Sequence, residues 1–219
     1  FSLLFVAALA VSLAVRVWLS LRQIAHVRAH RGAVPPAFVA RIGITAHQKA
    51  ADYTVAKQRL AILQAVVDAV VLLAMTLGGG LAAIVAWTDT LPGGPIVRDV
   101  AMFALAAIVF GCASLPFTWW HSFRIEERFG FNRMTMRLWL ADLVKALAIA
   151  VALGVPLLAL LLWIMGATGT WWWLWAWGAW MAFQLLILVL YPTLIAPLFN
   201  KFTPMENSVA RERVEALLA

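Results

Sequence analysis

LWLADLVKALAIAVALGVPLLALLLWIM, residues 138–165, decides the fold. Its 28 residues carry two charges, Asp142 and Lys145, both near the start. A run of this length exceeds the ~20 apolar residues that carry a helix across a hydrocarbon core of ~30 Å. Four more runs of the same kind lie on either side of it, at 1–19, 61–87, 100–120 and 171–197. The reading is an all-α, polytopic membrane protein with about five transmembrane helices. Composition agrees: 64% hydrophobic and 12% charged residues, against about half and about a quarter in soluble domains.

The charges between the runs orient them. Of 17 Lys and Arg, seven lie between the first two runs, from Arg22 to Arg59. Four follow the third run (Arg124, Arg128, Arg133, Arg137) and three follow the fifth (Lys201, Arg211, Arg213). The other two connections hold only Arg98, and Arg16 and Lys145 fall inside runs. Basic loops stay cytoplasmic, which predicts an outside N-terminus and a cytoplasmic C-terminus. Tryptophan fits this sidedness, since indole prefers the interface. Trp87, Trp163 and Trp171 to Trp173 fall at outer ends; Trp18, Trp119, Trp120 and Trp139 fall at inner ends. The net charge of +7 sits in the loops and suits anionic lipid head groups rather than nucleic acid. Cys112 stands alone, so no disulfide framework exists. Positive charge follows the first run rather than preceding it, which reads as a span and not a cleaved signal peptide.

The organisation expected is a five-helix transmembrane domain over 1–197, with a cytoplasmic basic segment at 20–60 and a cytoplasmic loop at 121–137. Pro35-Pro36 divides the basic segment, and residues 37–59 read as a helix running straight into the second span. Gly78-Gly79-Gly80 permits bending or close helix approach late in that span. Thr203-Pro204-Met205-Glu206 has the form of a capping box, and residues 198–219 read as the opening of a cytoplasmic domain that continues outside this sequence.

Chemistry-bearing groups are sparse. Asp68 lies about 10 Å into the second run at 1.5 Å per residue, Lys145 lies at similar depth in the fourth, and Asp142 is one turn from Lys145. A charge within the membrane calls for a partner, so Asp68 and Lys145 are a candidate buried ion pair, with Asp142 as competitor. The alternative is a polar pathway through Asp68, Lys145 and Gln184, against which no inverted repeat is visible. His26 and His30 are spaced four apart without a third ligand, and a catalytic zinc needs three. There is no His-Glu-x-x-His, cysteine pair, phosphate loop or dinucleotide fingerprint. No catalytic residue or metal ligand is assigned within the chain.

Three stretches carry more than composition. Tyr53-Thr54-Val55-Ala56-Lys57-Gln58-Arg59-Leu60 precedes the second run, and Phe123 to Thr135 (FRIEERFGFNRMT) separates the third from the fourth. Tyr191 to Pro204 (YPTLIAPLFNKFTP) closes the fifth. Together they resemble the type I CaaX prenyl endopeptidases, membrane zinc metallopeptidases, from about residue 41 onward and in the family's order. The resemblance implies five N-terminal helices, a cytoplasmic-side protease domain and two further helices around an intramembrane chamber. Zinc, held by His-Glu-x-x-His and a later Glu beyond Ala219, would activate the water that cleaves the peptide bond. The 219 residues alone would then bind no zinc and be inactive. Supporting roles carry over to Glu127, Gly130, Phe131, Asn132 and Thr135 in the loop, and to Asn200, Lys201, Phe202 and Thr203 in the link to the protease domain. Substrates would be membrane-associated peptides or proteins, or chains with prenylated C-termini. A composition rich in Ala, Leu, Arg and Trp leans toward a bacterial inner membrane rather than endoplasmic reticulum. The rival reading is a non-catalytic membrane scaffold or a subunit of a larger membrane complex.

Overall fold

The structure is a computed structural model that describes residues 1–200 and Ala216. Two compact units divide the chain, Phe1–Thr135 and Met136–Ala219. The first contains α1 (Ser2–Ala29), α2 (Ile44–Thr76), α3 (Gly80–Thr88) and α4 (Pro95–Trp120), which continues as a π-helical segment, His121–Glu126. The second contains α5 (Met136–Ala167), α6 (Trp172–Leu190), a π-helical segment Tyr191–Ile195 and the single turn α7 (Ala196–Phe199). There is no strand among the described residues. Five helical stretches are long and apolar enough to cross a membrane: Ser2–Ala29, Ile44–Thr76, Pro95–Glu126, Met136–Ala167 and Gly169–Phe199.

Several boundaries differ from the sequence reading. α1 runs on through residues 20–29, so the first ten residues of the basic segment are helix rather than loop. The pre-span helix starts at Ile44, after Gly43 in extended conformation, and not at 37. It does run straight into the span. At 33 residues, α2 is about 50 Å long, well beyond a core of ~30 Å. Its first half, residues 44–60 with His47, Lys49, Asp52, Lys57 and Arg59, therefore stands outside the hydrocarbon.

The run 61–87 is not one helix. It breaks after Thr76, and Gly79 takes a left-handed φ of +82° before α3 restarts at Gly80. Left-handed backbone costs other residues ~1–2 kcal/mol, hence glycine there. On either side, a Cβ at Gly78 would come 2.6 Å from the Ala74 carbonyl oxygen, and one at Gly80 would come 2.9 Å from the Met75 Cα. All three glycines are needed for the break.

Within the first unit α1 packs along α2, and α4 packs against α2 and α3; within the second, α5 packs on α6. Little is buried by these contacts. Ile24, Ala51, Ala69, Met75, Ile125, Phe129 and Ile164 are the buried apolar residues among those described, while Leu188, Val144 and Trp175 are more than 60% exposed. That inversion is what hydrocarbon permits, because lipid tails are as apolar as leucine and leave nothing to hide from.

Candidate functional site

Two of the three sequence motifs meet in the first unit. The π-helical segment His121–Glu126 carries the chain beyond α4, and Gly130 turns it with φ +71°. The Phe131 and Asn132 amides both donate to the Glu126 carbonyl, at 2.8 and 3.2 Å, and the Gly130 amide donates to the Glu127 carbonyl at 3.0 Å. These bonds satisfy carbonyls that the helix end would otherwise leave open. The Asn132 carboxamide oxygen accepts the Met134 amide at 2.7 Å, a side-chain turn of the kind asparagine favours. Glu127 is exposed on this loop, and Thr135 ends it just before α5.

Tyr53, on the part of α2 outside the membrane, is what the loop folds against. Its ring stands edge-on to Phe129 (5.4 Å, 73°) and to Phe131 (5.1 Å, 74°). Phe129 is 7% exposed and Phe131 53%, so one ring anchors the loop and the other caps it. Edge-to-face pairs add ~0.5–1.5 kcal/mol each beyond area. Cations gather on the same rings: Lys49 Nζ lies 5.3 Å from the Phe131 centroid, Lys57 Nζ 5.2 Å from Tyr53, and the Arg128 guanidinium carbon 5.7 Å from Phe129. Cation–π attraction at exposed sites is worth ~0.5–1 kcal/mol each. Arg31, just past α1, grips Asp52 with two bonds of 2.8 Å, Nε to Oδ1 and Nη2 to Oδ2. The paired Arg31 bond holds the Asp52 carboxyl below its usual value and raises Arg31 above its own.

The histidines are held by backbone. His30 Nδ1 donates to the His26 carbonyl at 2.9 Å, His47 Nε2 donates to the His30 carbonyl at 2.9 Å, and the His26 and His30 rings lie 4.3 Å apart. His26 lies in the last turn of α1, His30 caps that helix, and His47 lies in the first turn of α2. Among the described residues no three His, Cys, Asp or Glu side chains gather where a metal would be held. The described residues do not fit a zinc site.

In the second unit Lys145 unites a candidate ion pair with the third motif. Its Nζ lies 3.3 Å from Asp142 Oδ1, donates to the Leu198 carbonyl at 3.0 Å, and sits 5.6 Å from the Phe199 ring centroid. Leu198 and Phe199 belong to Tyr191–Pro204, and Asn200 follows in extended conformation. Lys201, Phe202, Thr203 and the capping box at 203–206 lie outside the described residues. Asp68 belongs to the first unit, where it lines a cleft with Arg16 and makes no ion pair among that unit's described residues.

Sequence reasoning missed the two π-helical segments, one overlapping the start of the Phe123–Thr135 motif and the other opening the Tyr191–Pro204 motif. Such segments are rare and concentrate at functional sites. Pro192 and Pro197 were the available signal for the second, because proline removes a helix donor and crowds the preceding turn. The first had no local signal.

Residues 23–201 match the family model described as CAAX prenyl protease N-terminal, five membrane helices. The chain is 36% identical over 124 residues to CAAX prenyl protease 1 homolog of Oryza sativa, covering 57% of this chain and 29% of that protein. It is 28% identical over 221 residues to the Caenorhabditis elegans homolog, covering all of this chain and 49% of that one. The crystal structure of S. mikatae Ste24p superimposes with a TM-score of 0.87 at 26% identity, over 96% of this chain and 50% of that one. The chain thus spans about half the length of the longest of these matches, or less.

Proposed function

Because this chain belongs to the CAAX prenyl protease family, we propose that it forms the membrane-embedded portion of a zinc metalloendopeptidase. The family is one of zinc metalloproteases that span the membrane, and the protein is an integral membrane protein. The observation that carries the proposal is the match over residues 23–201 together with a shared fold along 96% of the chain. The reaction is hydrolysis of peptide bonds in membrane-associated proteins or in chains with prenylated C-termini, in a chamber within the membrane. The metal, its ligands and the proton-transferring groups belong to residues outside 1–219, and residues 198–219 begin the protease domain on the cytoplasmic side.

Within this assignment the chain's own residues serve as framework. Tyr53 and the loop residues Glu127, Gly130, Phe131, Asn132 and Thr135 shape one ledge. Lys145, paired with Asp142, holds the Leu198 carbonyl at the end of the fifth span, two residues before Asn200. The basic segments at 20–60 and 121–137 face the cytoplasm and anionic lipid, an orientation supported by the distribution of Lys and Arg. Composition is the support for a bacterial inner membrane, and the eukaryotic relatives lend it none.

The gene beyond codon 219 provides the test. A His-Glu-x-x-His followed by two more membrane spans is expected. A stop codon there, in a protein that copurifies with other membrane subunits, would favour the scaffold reading instead.

A further inference from the structure

Three clefts run end to end along the seam between α1 and α2. The widest, about 830 Å³, is lined by Ser20, Arg22, Gln23, His26 and Gln58 among others. It shares Leu19 and Ser20 with a narrower cleft of about 340 Å³, whose walls add Arg16, Ala61, Ile62 and Ala65. Arg16 and Ala65 continue into the third, about 270 Å³, which reaches Leu9 and Leu72. The seam is polar and basic at its wide end, and beyond it mostly aliphatic, with Arg16, Ser12 and Asp68 as the polar groups farther along.

Depth and charge narrow down what fits. The Arg22 guanidinium lies over the Trp18 ring, 5.6 Å from its centroid, and an indole marks the level of the lipid head groups. Neither Arg16 nor Arg22 has an ion-pair partner among the described residues of this unit. Asp68, the one carboxylate lining the seam, lies ten residues beyond Gln58 on α2, about 15 Å along the helix. It does not repel an anion held at Arg22. From Arg22 to Leu9 the seam is about 20 Å long, close to half of a bilayer ~40–45 Å thick including its headgroups.

We propose that this seam binds one anionic phospholipid. Its phosphate lies between Arg22, Gln23, His26 and Gln58, and an acyl chain lies against Leu19, Ala61, Ile62 and Ala65. Basic pockets between membrane helices recognise anionic headgroups, and arginine presents a planar donor fork suited to phosphate. The aliphatic stretch Leu19, Ala61, Ile62 and Ala65 selects a lipid over a free phosphate, which would leave it uncovered. The lipid would fill the clefts left open along the contact between α1 and α2.

Native mass spectrometry of the protein released from phosphatidylcholine nanodiscs doped with phosphatidylglycerol tests this directly. One phosphatidylglycerol per chain is expected to stay bound in preference to phosphatidylcholine. Arg22→Gln should weaken that preference about fivefold, the equivalent of ~1 kcal/mol per basic contact. Arg22→Lys should keep it within about twofold, because the charge survives. Arg28→Gln removes an exposed arginine of α1 outside the clefts and should leave it unchanged. Equal losses in Arg22→Gln and Arg28→Gln would mean diffuse surface charge and overturn the site. Displacement of the lipid by inorganic phosphate or glycerol 3-phosphate at equal concentration would overturn the lipid as its occupant.

Discussion

Tyr53 shows how much one residue can organise here. Its ring is the shared partner of Phe129 and Phe131, and the Lys57 ammonium lies on it. Tyr53→Ala should destabilise the protein by about 2–4 kcal/mol, from lost packing and both ring pairs. Tyr53→Phe keeps the ring and should stay within about 1 kcal/mol of the parent. Unfolding in detergent measures both, and an unchanged Tyr53→Ala would mean the loop holds itself. A second residue-scale prediction concerns Asp52, which lies outside the membrane. Its carboxyl is held below the usual value, chiefly by the Arg31 hydrogen bond. The sign follows: its stabilising contribution is present above the ordinary carboxylate pKa of about 4 and is lost as pH falls through the lower folded value. The raised Arg31 loses its contribution only at very high pH. The parent's melting temperature should therefore fall on acidification below about pH 4, and Arg31→Gln should flatten that fall. A matching fall in the variant would assign it to other groups. Asp52 and Arg31 were silent in the sequence, because a partner 21 residues away becomes visible only once α1 and α2 pack.

At the scale of elements, spans were legible and their ends were not. Hydropathy marks where a helix enters lipid, so the apolar runs appear as helices. It says nothing about how far the helix continues in water, and α1 and α2 both extend past their runs. The break at Gly79 was visible only as permission, since a glycine triplet allows a bend without requiring one. The motif residues were legible as segments, whereas their meeting at Tyr53 is a tertiary fact. Within its own unit Lys145 meets Asp142, the competitor read from the sequence, and the carbonyl of Leu198, a partner 53 residues away that only the fold reveals. Lys145→Ala should cost about 2 kcal/mol through the lost charged hydrogen bond. Asp142→Ala should cost about 0.5 kcal/mol, as for helix pairs three apart. A cycle of the two should show coupling of that smaller size, read from detergent melting. A parallel cycle with Asp68→Ala tests the pairing expected from depth. Recovery in the double variant supports that pair, and additive losses would leave Asp142 as the carboxylate partner.

For the whole molecule, sidedness rests on fourteen basic loop residues against one. With Cys112 replaced by alanine, single cysteines at Thr90→Cys and Thr170→Cys should react with an impermeant maleimide in intact cells. Arg133→Cys should react only after permeabilisation. The opposite pattern would invert the topology and put the motif loop outside.

The central claim is that these residues are the membrane part of a zinc endopeptidase whose chemistry lies elsewhere in the protein. Zinc content and cleavage of a farnesylated peptide, measured on the complete gene product and on residues 1–219 side by side, test it most directly. One zinc per complete chain with chelator-sensitive hydrolysis is expected, and neither zinc nor cleavage for residues 1–219. A complete gene product without zinc or hydrolysis would contradict it, as would a zinc on residues 1–219 that is lost with His26 and His30.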